Sequence, residues 1–305
     1  MADVVVKSRG AAGLATTDAA AAAPSKRTRV WYRFRRHRLA MVGTAILLML
    51  AIGAVGAPVI ARESPYRTNP AIPRQPPSAA HVLGTDSSGR DVFSRLLHAG
   101  RVSLSVGLVA VSIYTLIGII AGSLAGYFGG RVDGAVMRLA DVVLSFPNLI
   151  VIITLVAILG PSIYIVMLAI GLLGWPTVAR LLRGQLLSLR EREFVLAGRA
   201  IGASSGRIIM RYLLPNALAP IIVLATFGVA QAILLEASLS FLGLGVRPPT
   251  ASWGNMLTDA QSISVLDSMP WLWIPPGVMI ALAVLSINFV GDGLRDALDP
   301  YTSRR

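Results

Sequence analysis

The chain has 305 residues, of which 54% are hydrophobic and only 14% charged, with a formal net charge of +13. That balance excludes an ordinary soluble globular domain and describes an integral membrane protein. The absence of cysteine excludes disulfides, thiolate metal sites, a cysteine nucleophile and S-palmitoylation, and His37, His81 and His98 have no spacing that would hold a metal.

In chain order, residues 1–29 are Ala-rich without sustained apolar periodicity and read as a flexible tail. The basic and aromatic run WYRFRRHR, Trp31 to Arg38, then leads into an apolar stretch over 39–61. A signal peptide has an apolar core of about 7–15 residues. This stretch is longer and its basic lead extended, so it is expected to be a first membrane span with its N-terminus inside. Residues 63–100 are polar and Pro-rich to Pro77, followed by HVLGTDSSGRDVFSRLL, a loop and then a short amphipathic helix.

A second span is expected over 101–127, where Gly118, Gly122 and Gly126 repeat every four residues. Such a stripe of small residues lets two membrane helices approach closely. Spans three and four are expected over 140–159 and 162–178, parted by the turn Gly160-Pro161. Asp141 lies near the inner start of span three, close enough to the headgroups to be a solvated, structural residue, and Pro147 lies inside it. Span five, 217–235, is closed at the outer surface by Glu236, read as interfacial. An outer loop follows, ending in MPWLW, where Trp271 and Trp273 anchor a last span over 274–290. Residues 301–305 form a C-terminal tail.

Lys and Arg decide the orientation. The segments that this reading places inside hold 21 of them and those outside hold 5, so both termini are expected in the cytoplasm, which six spans satisfy. The basic residues cluster beside apolar spans, so their counterions are expected to be anionic lipids rather than nucleic acid.

Between spans four and five lies a polar stretch, 190–215, that an apolar bundle does not require. Phe194, Ala197, Gly198 and Ile201 share one face of a helix while Arg192 and Arg199 lie opposite. Gly202 can stop that helix, and Ser204 or Ser205 can cap a second one that ends before Pro215. A water-facing amphipathic helix needs a partner, either another protein or the headgroup layer.

Catalytic patterns are missing. The only lysines are Lys7 and Lys26, and neither follows a phosphate-cradling loop, so the chain is no P-loop ATPase by itself. A nucleophile elbow, a zinc-binding HExxH and paired intramembrane carboxylates are absent too. A non-catalytic subunit without a bound cofactor or metal is expected.

The pattern Ala197, Gly198, Gly202 and Leu214-Pro215 resembles the cytoplasmic "EAA" loop of permease subunits in binding-protein-dependent ABC importers. Two positions depart from it: Leu196 stands where that family often has Glu, and Tyr212 where it often has Ile. The stretches LGTDSSGRDVFSRLL (83–97) and LSFLGLGVRPPTASWGNML (239–257), with the closing GDGLRDALDP, are similar to the C-type permease of the dipeptide, oligopeptide and nickel class. The likeness runs from about Arg35 to Pro300.

The resemblance implies an all-α permease with six transmembrane helices, of the type I importer fold, in the bacterial inner membrane. Its implied partners are a B-type permease, two P-loop ATPases that hold ATP and Mg, and an extracytoplasmic peptide-binding protein. The ATPase would be met by Glu193, Phe194, Leu196, Ala197, Gly198, Arg199, Gly202, Ala203 and Pro215, so bulk at Gly198 or Gly202 is expected to block its approach. Asp86, Arg90, Asp91, Pro248 and Trp253 would face the partner outside. The cargo implied is a di- or oligopeptide, with nickel or another small solute as the alternative. A membrane scaffold without a transport path is the competing class.

Overall fold

The computed structural model describes residues 26–299. The expected tails fall outside that range except for residues 26–29, which begin a helix. Among the described residues the chain is helical, with no strand beyond one isolated bridge between Thr85 and Asp91.

Helix α1, Lys26–Arg36, precedes α2, Arg38–Val55, and His37 between them accepts a hydrogen bond on Nδ1 from the Ala40 N–H, so the break between the two is a capped one. After the short α3, Ala57–Ile60, an irregular stretch leads into α4, Val92–Phe128. Here sequence and structure differ: the expected amphipathic helix and second span are one continuous helix of 37 residues, begun where the Asp91 carboxylate accepts from the Ser94 N–H. Its length exceeds a bilayer crossing, about 20 residues, so α4 projects beyond the apolar layer.

Expected span three is broken in two. Helices α5, Gly130–Leu144, and α6, Asn148–Leu159, meet at 77°, and Pro147, which has no N–H to donate, sits at the break. The pair forms one bent span or a re-entrant loop. Helix α7, Ile163–Leu189, runs well past the expected end at 178.

Helix α8, Glu193–Ala200, follows, and Ser205 then opens one continuous helix to Phe241: α9, Ser205–Arg207, a π-helical stretch Ile208–Leu213, and α10, Leu214–Phe241. The expected stop before Pro215 does not occur. The wider π turn accommodates a residue that cannot donate, and the Leu214 N–H reaches back to the Ile209 carbonyl. Helices α11, Trp253–Met256, and α12, Ile263–Ser268, lie in a second irregular stretch, and α13, Pro270–Leu298, ends the described chain. Five helices are long and apolar enough to span a membrane, or six with the bent pair.

The glycine stripe sets the main helix contact. A Cβ at Gly118 would lie 2.5 Å from the Val178 Cβ, one at Gly122 2.7 Å from the Ala179 carbonyl oxygen, and one at Gly126 2.8 Å from the Leu186 Cβ. Helices α4 and α7 therefore touch along most of their length because the glycines have no side chain to separate them. On α5, Asp133 accepts from Arg183 of α7 at 2.6 Å, and Asp141 pairs with Arg180 while both remain exposed.

Candidate functional site

Three places carry groups that packing alone does not require: the end of the bundle with α8, the opposite end with both irregular stretches, and a cavity between them.

At the first, the loop end, α8 is held to the bundle by its inward face. Val195 is fully buried, as are Ile208 and Leu213, and Gly198 lies under the Tyr212 ring. The helix stops at Gly202, whose φ of +77° is readily adopted only by glycine. The Gly202 N–H donates to the Arg199 carbonyl and the Ala203 N–H to the Gly198 carbonyl, so a Schellman turn satisfies the last carbonyls. The Arg199 guanidinium lies over the Tyr127 ring at 5.4 Å, and Tyr127 donates to Ser205, which ties the segment to the end of α4.

The outward face is apolar: Phe194, Leu196, Ala197 and Ile201 are exposed, Ile201 at 79%, and Met210 further along is exposed too. Glu193 and Arg199 border this patch, Ala203 is half-buried and Pro215 is exposed further along. The expectation that Gly198 shares an open face with Phe194 is corrected. Its missing side chain makes room for Tyr212, so bulk there would strain the chain's own packing. Gly202 is exposed but fixed by its φ, so a tryptophan there would break the turn before it could block anything.

At the other end, which we call the cap, residues expected to face a partner are turned inward. The Asp86 carboxylate accepts from the Ser88 and Arg90 N–H groups at 2.8 and 2.9 Å and from Arg90 Nε at 2.7 Å, and Arg95 Nε lies 3.3 Å away. Asp91 caps α4 and contacts His81 Nδ1 at 3.0 Å. Trp253 is 2% exposed and donates from Nε1 to the Leu96 carbonyl. Asp86, Arg90, Asp91 and Trp253 therefore hold the cap together, because a buried charge or indole N–H needs a partner within the chain. Of the five expected contact residues, Pro248 alone is exposed.

Glu236 is corrected as well. It is fully buried rather than interfacial, accepting from Ser240 Oγ at 2.6 Å and from Ser103 Oγ at 3.2 Å. Ser103 in turn accepts from the Trp253 N–H, so one carboxyl group joins α4, α10 and the start of α11. Its position at the end of an apolar run suggests the interface; Ser240 lies one helical turn on, but Ser103, 133 positions away, leaves no local signal of burial. Beside this cluster opens a pocket of about 310 Å³ that Asp259 also lines. Burial raises the Asp259 carboxyl above its ordinary range, helped by nearby Asp86 and opposed by Arg74, Ser87 and Arg95.

The third place is a cavity of about 200 Å³ among α4, α6, α7 and α10, with Tyr114 in its wall. The ring of Tyr114 crosses between two glycines: a Cβ at Gly174 would lie 2.7 Å from it, and one at Gly228 only 1.6 Å from its hydroxyl oxygen.

This helical bundle, with a broken third span and a short helix packed across one end, has the architecture of an ABC importer permease. The chain belongs to the family of binding-protein-dependent transport system inner membrane components, whose model matches residues 118–304, and the model for the N-terminal TM domain of oligopeptide transport permease C matches residues 25–77. It is 44% identical over 268 residues to the dipeptide transport system permease protein DppC of Alkalihalophilus pseudofirmus, covering 88% of each chain. It is 41% identical to the oligopeptide transport system permease protein OppC of Bacillus subtilis, covering 88% of this chain and 87% of that one. Among solved structures, an inward-facing form of the MetNI methionine ABC transporter matches with a TM-score of 0.55 at 20% identity, over 67% of this chain and 96% of that one. That likeness is one of fold.

Proposed function

We propose that this chain is the C-type permease subunit of an ATP-driven importer of di- or oligopeptides. The observation that carries the cargo is identity above 40% along nearly the whole chain to permeases of dipeptide and oligopeptide transport systems. In this reading the chain and a B-type permease form a heterodimer with the path between them, and an extracytoplasmic peptide-binding protein delivers cargo at the cap. Two P-loop ATPases bind ATP and Mg, and this chain binds neither.

The outward face of α8 carries the coupling. Phe194, Ala197 and Ile201 form an apolar knob at a bundle end that is otherwise rich in arginine, and a groove on one ATPase would cover it. For ATP hydrolysis to move the spans, the knob's contacts must differ between nucleotide states, and α8 must pass the difference on. Tyr127 and Tyr212 give it two direct handles, on α4 and on the helix that continues into α10. The positive-inside count favours a cytoplasmic loop end, with both termini on the same side.

Affinity purification of the tagged chain from gently solubilised membranes, followed by mass spectrometry, tests the assembly. A second permease and P-loop ATPases are expected, and ATP-dependent uptake of radiolabelled tripeptide by the reconstituted complex is the functional readout. Recovery of the chain alone, where other membrane complexes survive, would reject it. Orientation is read separately: a cysteine at Ser264, exposed at the cap, should react with an impermeant thiol reagent added to intact cells, and one at Ser205 should not.

A further inference from the structure

The wall formed by α6, α7 and α10 carries three uncharged polar side chains, Asn148, Thr177 and Gln231, all exposed and all lining the 200 Å³ cavity. At about 1.5 Å per helical residue, Gln231 lies roughly 15 Å from the cap end of α10, Asn148 about 16 Å from that of α6 and Thr177 about 21 Å from that of α7. The hydrocarbon layer is about 30 Å thick, so Gln231 and Asn148 stand near its middle and Thr177 within it, nearer the loop end. The side-chain amides of Asn148 and Gln231 have no hydrogen-bond partner among the described residues. An amide turned towards lipid tails without a partner costs several kcal/mol, so this wall faces water or another polar surface.

We infer that it is this chain's half of the peptide path, and that it recognises the peptide backbone rather than side-chain charge. The inference rests on the peptide-importer reading above. No Asp, Glu, Lys or Arg lines the cavity, so neither sign of charge on the cargo meets an opposite or a like charge. Primary amides both donate and accept, which suits the alternating N–H and C=O groups that every peptide shares. Tyr114, held between Gly174 and Gly228, and Phe227 supply flat apolar surface beside them. A path must bind weakly enough to release, and a few neutral hydrogen bonds meet that requirement where an ion pair in low dielectric would trap the cargo.

The lack of any cysteine makes the test direct, because Gln231→Cys places the only thiol in this chain. The assembled transporter in proteoliposomes is treated with two small water-soluble methanethiosulfonates, one leaving an ammonium group and one a sulfonate, and the adduct is located by mass spectrometry. Uptake of Ala-Lys-Ala and Ala-Glu-Ala is read before and after in the same vesicles. The thiol is expected to react, the ammonium adduct to slow the basic peptide at least about 10-fold more than the acidic one, and the sulfonate adduct to do the reverse.

A thiol that stays unreactive in the assembled transporter, or equal loss for both peptides, overturns the inference. Failure of the unsubstituted complex to import either peptide would instead reject the importer reading beneath it. Should Gln231→Cys not assemble, Thr177→Cys on the facing helix decides by the same readings.

Discussion

At the cap, charged and polar side chains are buried and answered from within the chain: Asp86 by two arginines, Asp91 by His81 and a helix N-terminus, Glu236 by two serines. At the loop end the converse holds. Apolar side chains of α8 stand in the open with nothing among the described residues to cover them, while only Val195 and Gly198 of that helix are buried. A functional role is easily assigned to the conspicuous acids and the tryptophan of the cap, yet their geometry is that of structural members. The unanswered surface is the apolar one, and that is where the proposed ATPase would add the cover that the described residues do not provide.

If the cap is a structural unit, its variants should fail by stability. The largest loss is expected for Asp86→Ala, which strips the 5%-exposed Arg95 of its carboxylate while burial persists. Removing one member of such a buried pair costs about 3–5 kcal/mol, to be read as a lowered melting temperature in detergent and a reduced amount in the membrane. Unchanged melting would mean that the cap is not what holds α4 to its neighbours. Glu236→Ala comes next, because it leaves the hydroxyls of Ser103 and Ser240 without their acceptor, at about 1–3 kcal/mol. Glu236→Gln should recover part of that loss, since Ser103 and Ser240 donate to different carboxylate oxygens and the amide keeps one acceptor oxygen while its NH2 can donate to the other hydroxyl.

Asp259 gives a smaller effect of opposite sign. Burial first, and Asp86 second, raise its carboxyl above the ordinary aspartate value of 3.8, so the folded cap holds the proton more tightly than the unfolded chain does. The protonated form is therefore the one that folding favours. Its contribution is complete below the unfolded value and is lost as pH rises through the folded one. At neutral pH Asp259→Asn is expected to raise the melting temperature slightly, with the gain vanishing as pH approaches 3.8. A gain that persists unchanged into acid would locate the effect elsewhere than in this titration.

Much of the architecture could be read directly. Composition alone gave a membrane bundle, the four-residue glycine spacing marked the seam where α4 meets α7, and Gly202 marked a helix end that its φ requires. Rotation could not be read in the same way. On a helix as short as α8, Gly198 and Ala197 differ by 100° in direction, and only Tyr212, fourteen residues on, shows which of them faces inward. Nor could the fate of the acids be read, because Asp133 meets Arg183 across 50 positions and Glu236 meets Ser103 across 133. Hydropathy sees a charge at a span's edge but not the partner that buries it.

The sharpest use of the contrast is a variant that should barely touch stability and yet abolish function. Ile201 is the most exposed apolar residue of the α8 segment, at 79%, and an exposed substitution of this kind usually shifts stability by no more than about 0.5 kcal/mol. Ile201→Asp should insert, melt and pair with its sister permease as the parent does. Placing a carboxylate in an apolar groove, however, costs far more than the methyl groups it removes. Retention of the ATPases on purification should therefore fall at least about 10-fold, and peptide-stimulated hydrolysis should fall with it. Ala197→Trp, exposed on the same face, should act the same way through bulk rather than charge. Normal coupling in both would place the ATPase elsewhere, and the knob would then be resting on lipid.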